Sequence, residues 1–448
     1  MRGFLRTAIV AACATALAPF AVLADEQAAG GDAKAPPASA ARAPEPSRAE
    51  IERLQALGYV DVTQEPLDPA RSGVVLYDRA RSQPGYNYFT NAHLCSAQLI
   101  DAEGHVLRTW ALEPCHRWDN SSFTPDGDVL VIGRELPPGG GRPWSAGRYV
   151  ARLGFDGRVV WRRPLGAHHD IQWTPRGEIA VLTSTFRRVP ELDEARDLKD
   201  DSLTLLSPDG EVRASASLYE LLKTAPREQF KLRGRKRGKR HLDLLHANSV
   251  FWMQDPKLAA RDPLYAPQNV VVTIRHQDAV VVIDWDARKV VWAWGQSELS
   301  GPHDAVVLPS GNFLVFDNGL GRGWSRVVEL DPKTRKIVWQ YRAPEPETFY
   351  TQTRGANQRL ANGNTLVAQS DSGRAFEVTP DGEMVWEFLN PNGRDGKRAA
   401  LVRMRRLEPR VVDAWMAAAA ASGKGEGAEK GEGAEKGAAG TSAAGGTP

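Results

Sequence analysis

Six times along the chain an alternating apolar run ends in a short polar turn, and a small apolar cluster follows at once. The segments are LIDAEGHVLRTW (99–110), RLGFDGRVVW (152–161), LTLLSPDGEVRAS (203–215), VVIDWDARKVVWAW (281–294), VVELDPKTRKIVW (327–339) and FEVTPDGEMVW (376–386). Five of the six clusters carry a tryptophan. The turn positions Gly104, Gly157, Gly210, Arg288, Arg335 and Gly382 are separated by 53, 53, 78, 47 and 47 residues, so one period near 50 is broken once by an insertion. Strands of period two, joined by Gly/Asp turns and repeated at this interval, predict an all-β, six-bladed β-propeller with one four-stranded blade per repeat. Such a fold gathers one strand of every blade around a central channel.

A second recurrence marks that inner strand. It reads DNSSFTPDGDVLVIG (119–133), HDIQWTPRGEIAVLT (169–183), HDAVVLPSGNFLVFD (303–317) and GANQRLANGNTLVAQ (355–369), with HANSVFW (246–252) at the matching place in the third blade. In each full line a turn with Pro-x-Gly or Asn-Gly precedes an alternating strand, as in a tight hairpin. The leading residues are Asp119, His169, His246, His303 and Gly355. Histidine therefore recurs at one structural position in three consecutive blades.

The ends of the chain differ in kind. MRGFLRTAIVAACATALAPFAVLA has the basic start, apolar run and small-residue end of a secretory signal peptide cleaved near Ala24, which predicts a periplasmic or secreted protein. Val10-Ala11-Ala12-Cys13 also reads as a lipobox, but Arg6 leaves a short apolar run before it. Residues 25–46 are a flexible linker by composition, 47–72 a lead-in with a short helix capped by Ser47, 73–410 the propeller, and 411–448 a low-complexity, disordered tail. The strand-like run ALVRMRRLEP (400–409) completes the first repeat, so N- and C-terminal strands close the ring within one blade. Beyond the signal no segment is apolar enough to span a membrane.

Charge is balanced, 57 Lys and Arg against 55 Asp and Glu, which gives no reason to expect nucleic acid. One local exception is KLRGRKRGKR (231–240) in the insertion, where seven of ten residues are basic. It reads either as an anion-attracting loop over the channel or as an exposed, solvated excursion. No aromatic residues are interleaved for stacking on bases. Past the cleavage point only Cys95 and Cys115 remain; in an oxidising compartment they pair, or they stay reduced in the core, and both readings stand.

His169, His246 and His303, with Arg275 in the same blade as His246, suit an anionic group: imidazole is a nucleophile and proton carrier near neutrality, and guanidinium is a fixed fork for oxyanions. Strand alternation assigns the neighbours His168 and His276 to packing or surface positions. His116 approaches the channel end at a different spacing. A three-histidine metal site, with Asp170 and Asp304 orienting the rings, is the competing reading; the arginine argues against a cation, and neither metal nor cofactor is expected.

At these residues the sequence resembles the bacterial arylsulfate sulfotransferases. The resemblance lies in GVVLYD (73–78), LIDAEGHVLRTW, HHDIQW (168–173), LLHANS (244–249), TIRHQDAVVVID (273–284), GPHDAVVLPSGNFLVFDNG (301–319) and GNTLVAQSDSGRAFEV (363–378). It implies transfer of a sulfuryl group from a phenolic sulfate to a phenolic acceptor without a nucleotide donor, through a covalent sulfohistidine and ping-pong kinetics. It further implies His303 as nucleophile, His246, Arg275 and His169 as its catalytic partners, and Asn248 as a substrate-binding residue. Two departures are a linker and helix where well-known members carry an N-terminal β-sandwich, and Pro302 before His303. The alternatives are a non-catalytic ligand- or protein-binding propeller, which would not require His303 and Arg275, and a quinone-cofactor dehydrogenase, which would show more blades and adjacent cysteines.

Overall fold

The computed structural model describes residues 62–136, 147–234 and 240–429. They form an all-β molecule in which six antiparallel sheets each contain four strands of a meander. The first sheet is built from Tyr86–Asn91, Ser96–Ile100 and Val106–Ala111, and its fourth member is Leu401–Leu407 from the other end of the chain. The five that follow begin with the inner strands Arg117–Phe123, Ala167–Trp173, Ala247–Trp252, His303–Val307 and Ala356–Arg359. The middle strands, such as Asn269–Ile274 and Ala279–Asp284, are almost wholly buried, which explains their continuous Val/Ile runs.

The six turns of the repeat have one local cause. Each joins the third and fourth strands of a sheet and is accompanied by a β-bulge, as at Leu99/Ile100, Arg152/Leu153 and Glu377/Val378. The residue at its end is left-handed, from Gly104 at φ 95° to Arg288 at φ 54°. Glycine adopts that conformation without steric cost, which accounts for four of the six residues there.

The clustered tryptophans have a shared task. Trp110 donates its indole N–H to the carbonyls of Gly154 and Phe155 in the turn of the second sheet, and Trp161 donates to Pro208 in the third. Trp292 donates to Pro332 in the fifth sheet, Trp339 to Pro380 in the sixth, and Trp386 returns to Ala102 in the first. Each ring thus covers a neighbouring sheet's turn while its polar edge is satisfied.

Between the third and fourth sheets, where the third cluster lacks tryptophan, the insertion takes over. A short helix, α1 (Leu218–Leu222), is capped by Ser217, whose hydroxyl accepts from the Glu220 N–H. Leu218, Leu221, Leu222, Phe230, Leu242, Leu244 and Leu245 are buried in one cluster with Leu203 and Leu205 of the third sheet and Val270, Val281 and Trp285 of the fourth. Thr224 and Gln229 accept the N–H groups of Val290 and Ala293 along the outer strand of the fourth sheet. The flanks of the basic run, Leu218–Phe230 and Leu242–Leu245, are therefore an internal gasket, while Lys231 and Arg240 at the ends of the run are exposed. Residues 235–239 of the run lie outside the described residues.

Three expectations about the ends need correction. Gly73–Tyr77, counted into the first repeat, pairs instead with Met384–Leu389 as an additional edge strand of the sixth sheet. Val62–Pro66, within the predicted helical lead-in, is a strand paired with Lys397–Ala399. The segment from 411 onward is not disordered throughout: Pro409–Glu429 is a helix, α2. Val412 is fully buried, and Trp415 packs 4.7 Å from the Phe123 ring and donates to the Pro125 carbonyl. Low-complexity composition hid these few anchoring side chains. The signal, the linker and the Ser47 helix lie outside the described residues. Cys95 and Cys115 form a disulfide.

Candidate functional site

The histidines are displayed by irregularities in the inner strands. The ladder shifts register between Ala167 and Ile171, between Ala247 and Ser249, and between His303 and Val306. His169 and His246 have left-handed backbones, φ 59° and 52°, as does Asp304 at 49°. Such conformations cost of order 1–3 kcal/mol in a non-glycine residue and persist only where surroundings enforce them. The bulges turn side chains out of the regular pleat.

His303 is 5% exposed. Its Nδ1 lies 2.7 Å from Asn318 Oδ1 and 3.2 Å from the Gly301 carbonyl. The Asn318 amide orientation is fixed, because its Nδ2 donates to the Thr351 and Arg354 carbonyls. Both neighbours of His303 Nδ1 are acceptors, so that nitrogen carries the proton and Nε2 holds the lone pair. Nε2 is buried without a hydrogen-bond partner. Burial, with the nearby charges of Arg275 and His246, pushes the pKa down to about 3, which leaves the ring neutral.

Arg275 and His276 sit on a 3₁₀ turn, Arg275–Gln277, whose N–H groups bond to the His246 and Leu245 carbonyls. Arg275 Nη2 donates to the Gln352 carbonyl, and its Nη1 lies 3.1 Å from His276 Nε2. The His276 ring lies 4.5 Å from that of His246, which in turn lies 4.9 Å from His169. His246 Nδ1 is 2.6 Å from Asp243 Oδ2, and His169 Nδ1 is 2.6 Å from His168 Nδ1. Burial first, then neighbouring imidazoles, holds His169 and His276 well below the usual histidine range. Burial opposes ionisation of Asp243, but Lys199 and His246 outweigh it and hold the carboxyl well below its usual value. Asn248 spends its Nδ2 on the Pro302 carbonyl, holding the peptide next to His303, and keeps a buried Oδ1 without a partner.

The structure thus brings His169, His246, Arg275, Asn248 and His303 to one region. It corrects the reading of their neighbours. His276, assigned to packing or surface, belongs to the cluster because it stands on a turn where strand alternation does not apply. His168 is fully buried directly behind His169, since a bulge places both on one side. His116 is instead paired with His93, their rings 6.0 Å apart. Asp170 and Asp304 orient no ring: Asp170 accepts from Asn120, the Val250 N–H and Arg403, and Asp304 accepts from the Asn357 N–H and Arg405. They tie successive inner strands together, with Arg403 spanning both carboxylates at 2.8 and 3.2 Å.

Asp243, His246 and His276 are close enough to face one cation. The His276 nitrogens are already engaged by the Asp243 carbonyl and Arg275, and Lys199 stands 3.8 Å from Asp243. This donor set fits no metal ion.

The arylsulfotransferase (ASST) family matches residues 156–391, more than half of the chain, and the chain belongs to that family. No curated protein matches it. Among solved structures it is similar to a protein of unknown function from Bacteroides caccae, at 14% identity over 72% of this chain and 98% of that one, with a TM-score of 0.47. Virginiamycin B lyase from Staphylococcus aureus gives 12% identity over 75% and 88%, TM-score 0.40. The β-propeller domain of Myceliophteria thermophila Cps50 (Swd1) gives 12% over 75% and 91%, TM-score 0.39.

Proposed function

We propose that the protein is a sulfotransferase that moves a sulfuryl group from an aryl sulfate to a phenolic acceptor through a sulfohistidine at His303. It needs no nucleotide donor or cofactor. In this reading the six sheets are the blades of a closed propeller, and the signal sequence exports the chain to the periplasm or beyond. The observation that carries the chemistry is the buried, partnerless Nε2 of a neutral His303 beside Arg275.

His303 Nε2 attacks the sulfur of the donor; the N–S bond forms as the S–O bond to the aryl group breaks. The reaction passes through a loose transition state with charge on three equatorial oxygens, which the Arg275 guanidinium stabilises. Asn318 and Gly301 accept from Nδ1–H as the ring becomes positive. His246 protonates the departing phenolate: its Nδ1 lies 2.6 Å from the Asp243 carboxylate, while His303, His169 and His276 are held neutral. The acceptor phenol then returns its proton to His246, and its oxygen attacks sulfur as the N–S bond breaks.

The test is turnover of a chromogenic aryl sulfate, with and without added phenol, by wild type and His303→Ala. Wild type treated with donor alone should yield a sulfuryl adduct on the His303 peptide, digested away from acid. Normal donor consumption by His303→Ala would sink the covalent mechanism. Arg275→Lys should also impair transfer strongly, because a point charge cannot reproduce a planar fork.

A further inference from the structure

One buried ammonium lies behind two of the channel histidines. Lys199, in strand Asp197–Leu206, is 3% exposed; its Nζ is 3.1 Å from Asp201 Oδ1 and 3.8 Å from Asp243 Oδ1. Two branches of ion pairs and hydrogen bonds leave it. In the first, Asp201 faces His168 Nε2 at 3.3 Å, and His168 Nδ1 meets His169 Nδ1 at 2.6 Å. A carboxylate only accepts, so His168 carries its proton on Nε2 and accepts at Nδ1. His169 therefore carries its own proton on Nδ1 and turns a bare Nε2 to the channel. In the second branch Asp243 accepts directly from His246 Nδ1. No imidazole intervenes, so the His246 Nδ1 proton rests on the carboxylate itself.

We infer that Lys199 is a positioning residue: by pairing with Asp201 and Asp243 together, it keeps both carboxylates charged and so holds the ring proton of His168 on Nε2 and that of His246 on Nδ1, orienting His169 through an intervening imidazole and His246 directly. Its kinetic consequence rests on the sulfuryl-transfer reading; the tautomers do not. Asp201 and Asp243 repel one another, and each is also tied to its own partners, Ser184 and the Ala247 N–H for Asp201. Other charged or titratable groups whose fields reach the cluster are Asp119, Arg148 and His241, with His276 against Asp243. Without the ammonium, two buried carboxylates would share a site, and one of them would take up a proton.

The test is Lys199→Met, with folding checked by circular dichroism. In wild type, the downfield proton signals of His246 Nδ1–H and His168 Nε2–H are assigned by their absence in His246→Asn and His168→Asn. In Lys199→Met at least one should vanish at neutral pH. In the same variant kcat should fall 10–100-fold, the range for a group behind first-contact residues. KM should change less than about threefold and the acid limb of the pH profile should rise by a pH unit or more. A folded variant with both signals and the wild-type pH profile overturns the proposal. Should Lys199→Met fail to fold, Asp243→Asn decides: loss of the His246 signal alone supports two branches, and retention of both or loss of both overturns them. If wild type turns over no aryl sulfate, the functional reading fails while the two proton signals still judge Lys199.

Discussion

Five junctions between successive sheets are latched by a tryptophan, and one is not. The latched junctions are cheap in sequence: one indole ring, one N–H and one carbonyl, repeated at each step. The junction between the third and fourth sheets uses some 25 further residues for the same sealing task and gains something a tryptophan cannot give. Between the gasket residues Leu242 and Leu244 the chain carries Asp243 to His246. Stability comes from repetition, whereas the departure from repetition supplies a charge. The break in the period is thus where the site acquires its carboxylate.

The contrast is broken most severely at the latch joining the sixth sheet to the first. Trp386 is fully buried, and Trp386→Ala should cost about 3–5 kcal/mol in urea unfolding. At the unlatched junction, Leu245→Ala removes a fully buried gasket residue and should cost about 2–5 kcal/mol by the same measurement. It should also lower kcat, since Leu245 adjoins His246; equal activity would show that the gasket only seals.

Acid sharpens the comparison. His303 binds a proton in the unfolded chain below the ordinary histidine pKa, but in the folded protein only near pH 3. Between those values the unfolded state holds more protons, so stability falls as pH is lowered. One such group contributes up to about 1.4 kcal/mol per pH unit. His168, His169 and His276 act in the same direction. His303→Asn should therefore flatten the loss of stability between pH 6 and 4, while Trp339→Phe should leave that slope unchanged. Trp339→Phe keeps a ring and loses one hydrogen bond to Pro380, so its cost should be about 1 kcal/mol or less.

How much of this was legible follows from how each residue is placed. His169, His246 and His303 stand at matching positions of a repeated line, so their convergence followed from the period alone. The tryptophans announced the repeat, though not that their N–H groups reach into the next turn. His276 joined the cluster because alternation does not apply on a 3₁₀ turn, whereas His168 is the buried packing residue that was expected, set against His169. Lys199, Asp243 and Asn318 left no signal: they come from an outer-lying strand, the insertion and a loop, and only burial reveals their connection. Asp170 and Asp304 carried the histidine motif's second letter, but they hold strands rather than rings. The helix Pro409–Glu429 was concealed by its alanines, with Val412 and Trp415 its only strong clues.

The inner strand of the first sheet, Leu401–Leu407, has a consequence for the order of events in synthesis. During translation the chain from 86 to 400 emerges before its last inner strand exists. Until then Asp170 and Asp304, both buried in the finished protein, lack the guanidinium of Arg403, and Asp304 lacks that of Arg405. Two carboxylates facing one another unpaid would hold the nascent sheets apart. The ties that Arg403 and Arg405 make to the third and fifth sheets are therefore among the last that synthesis can supply.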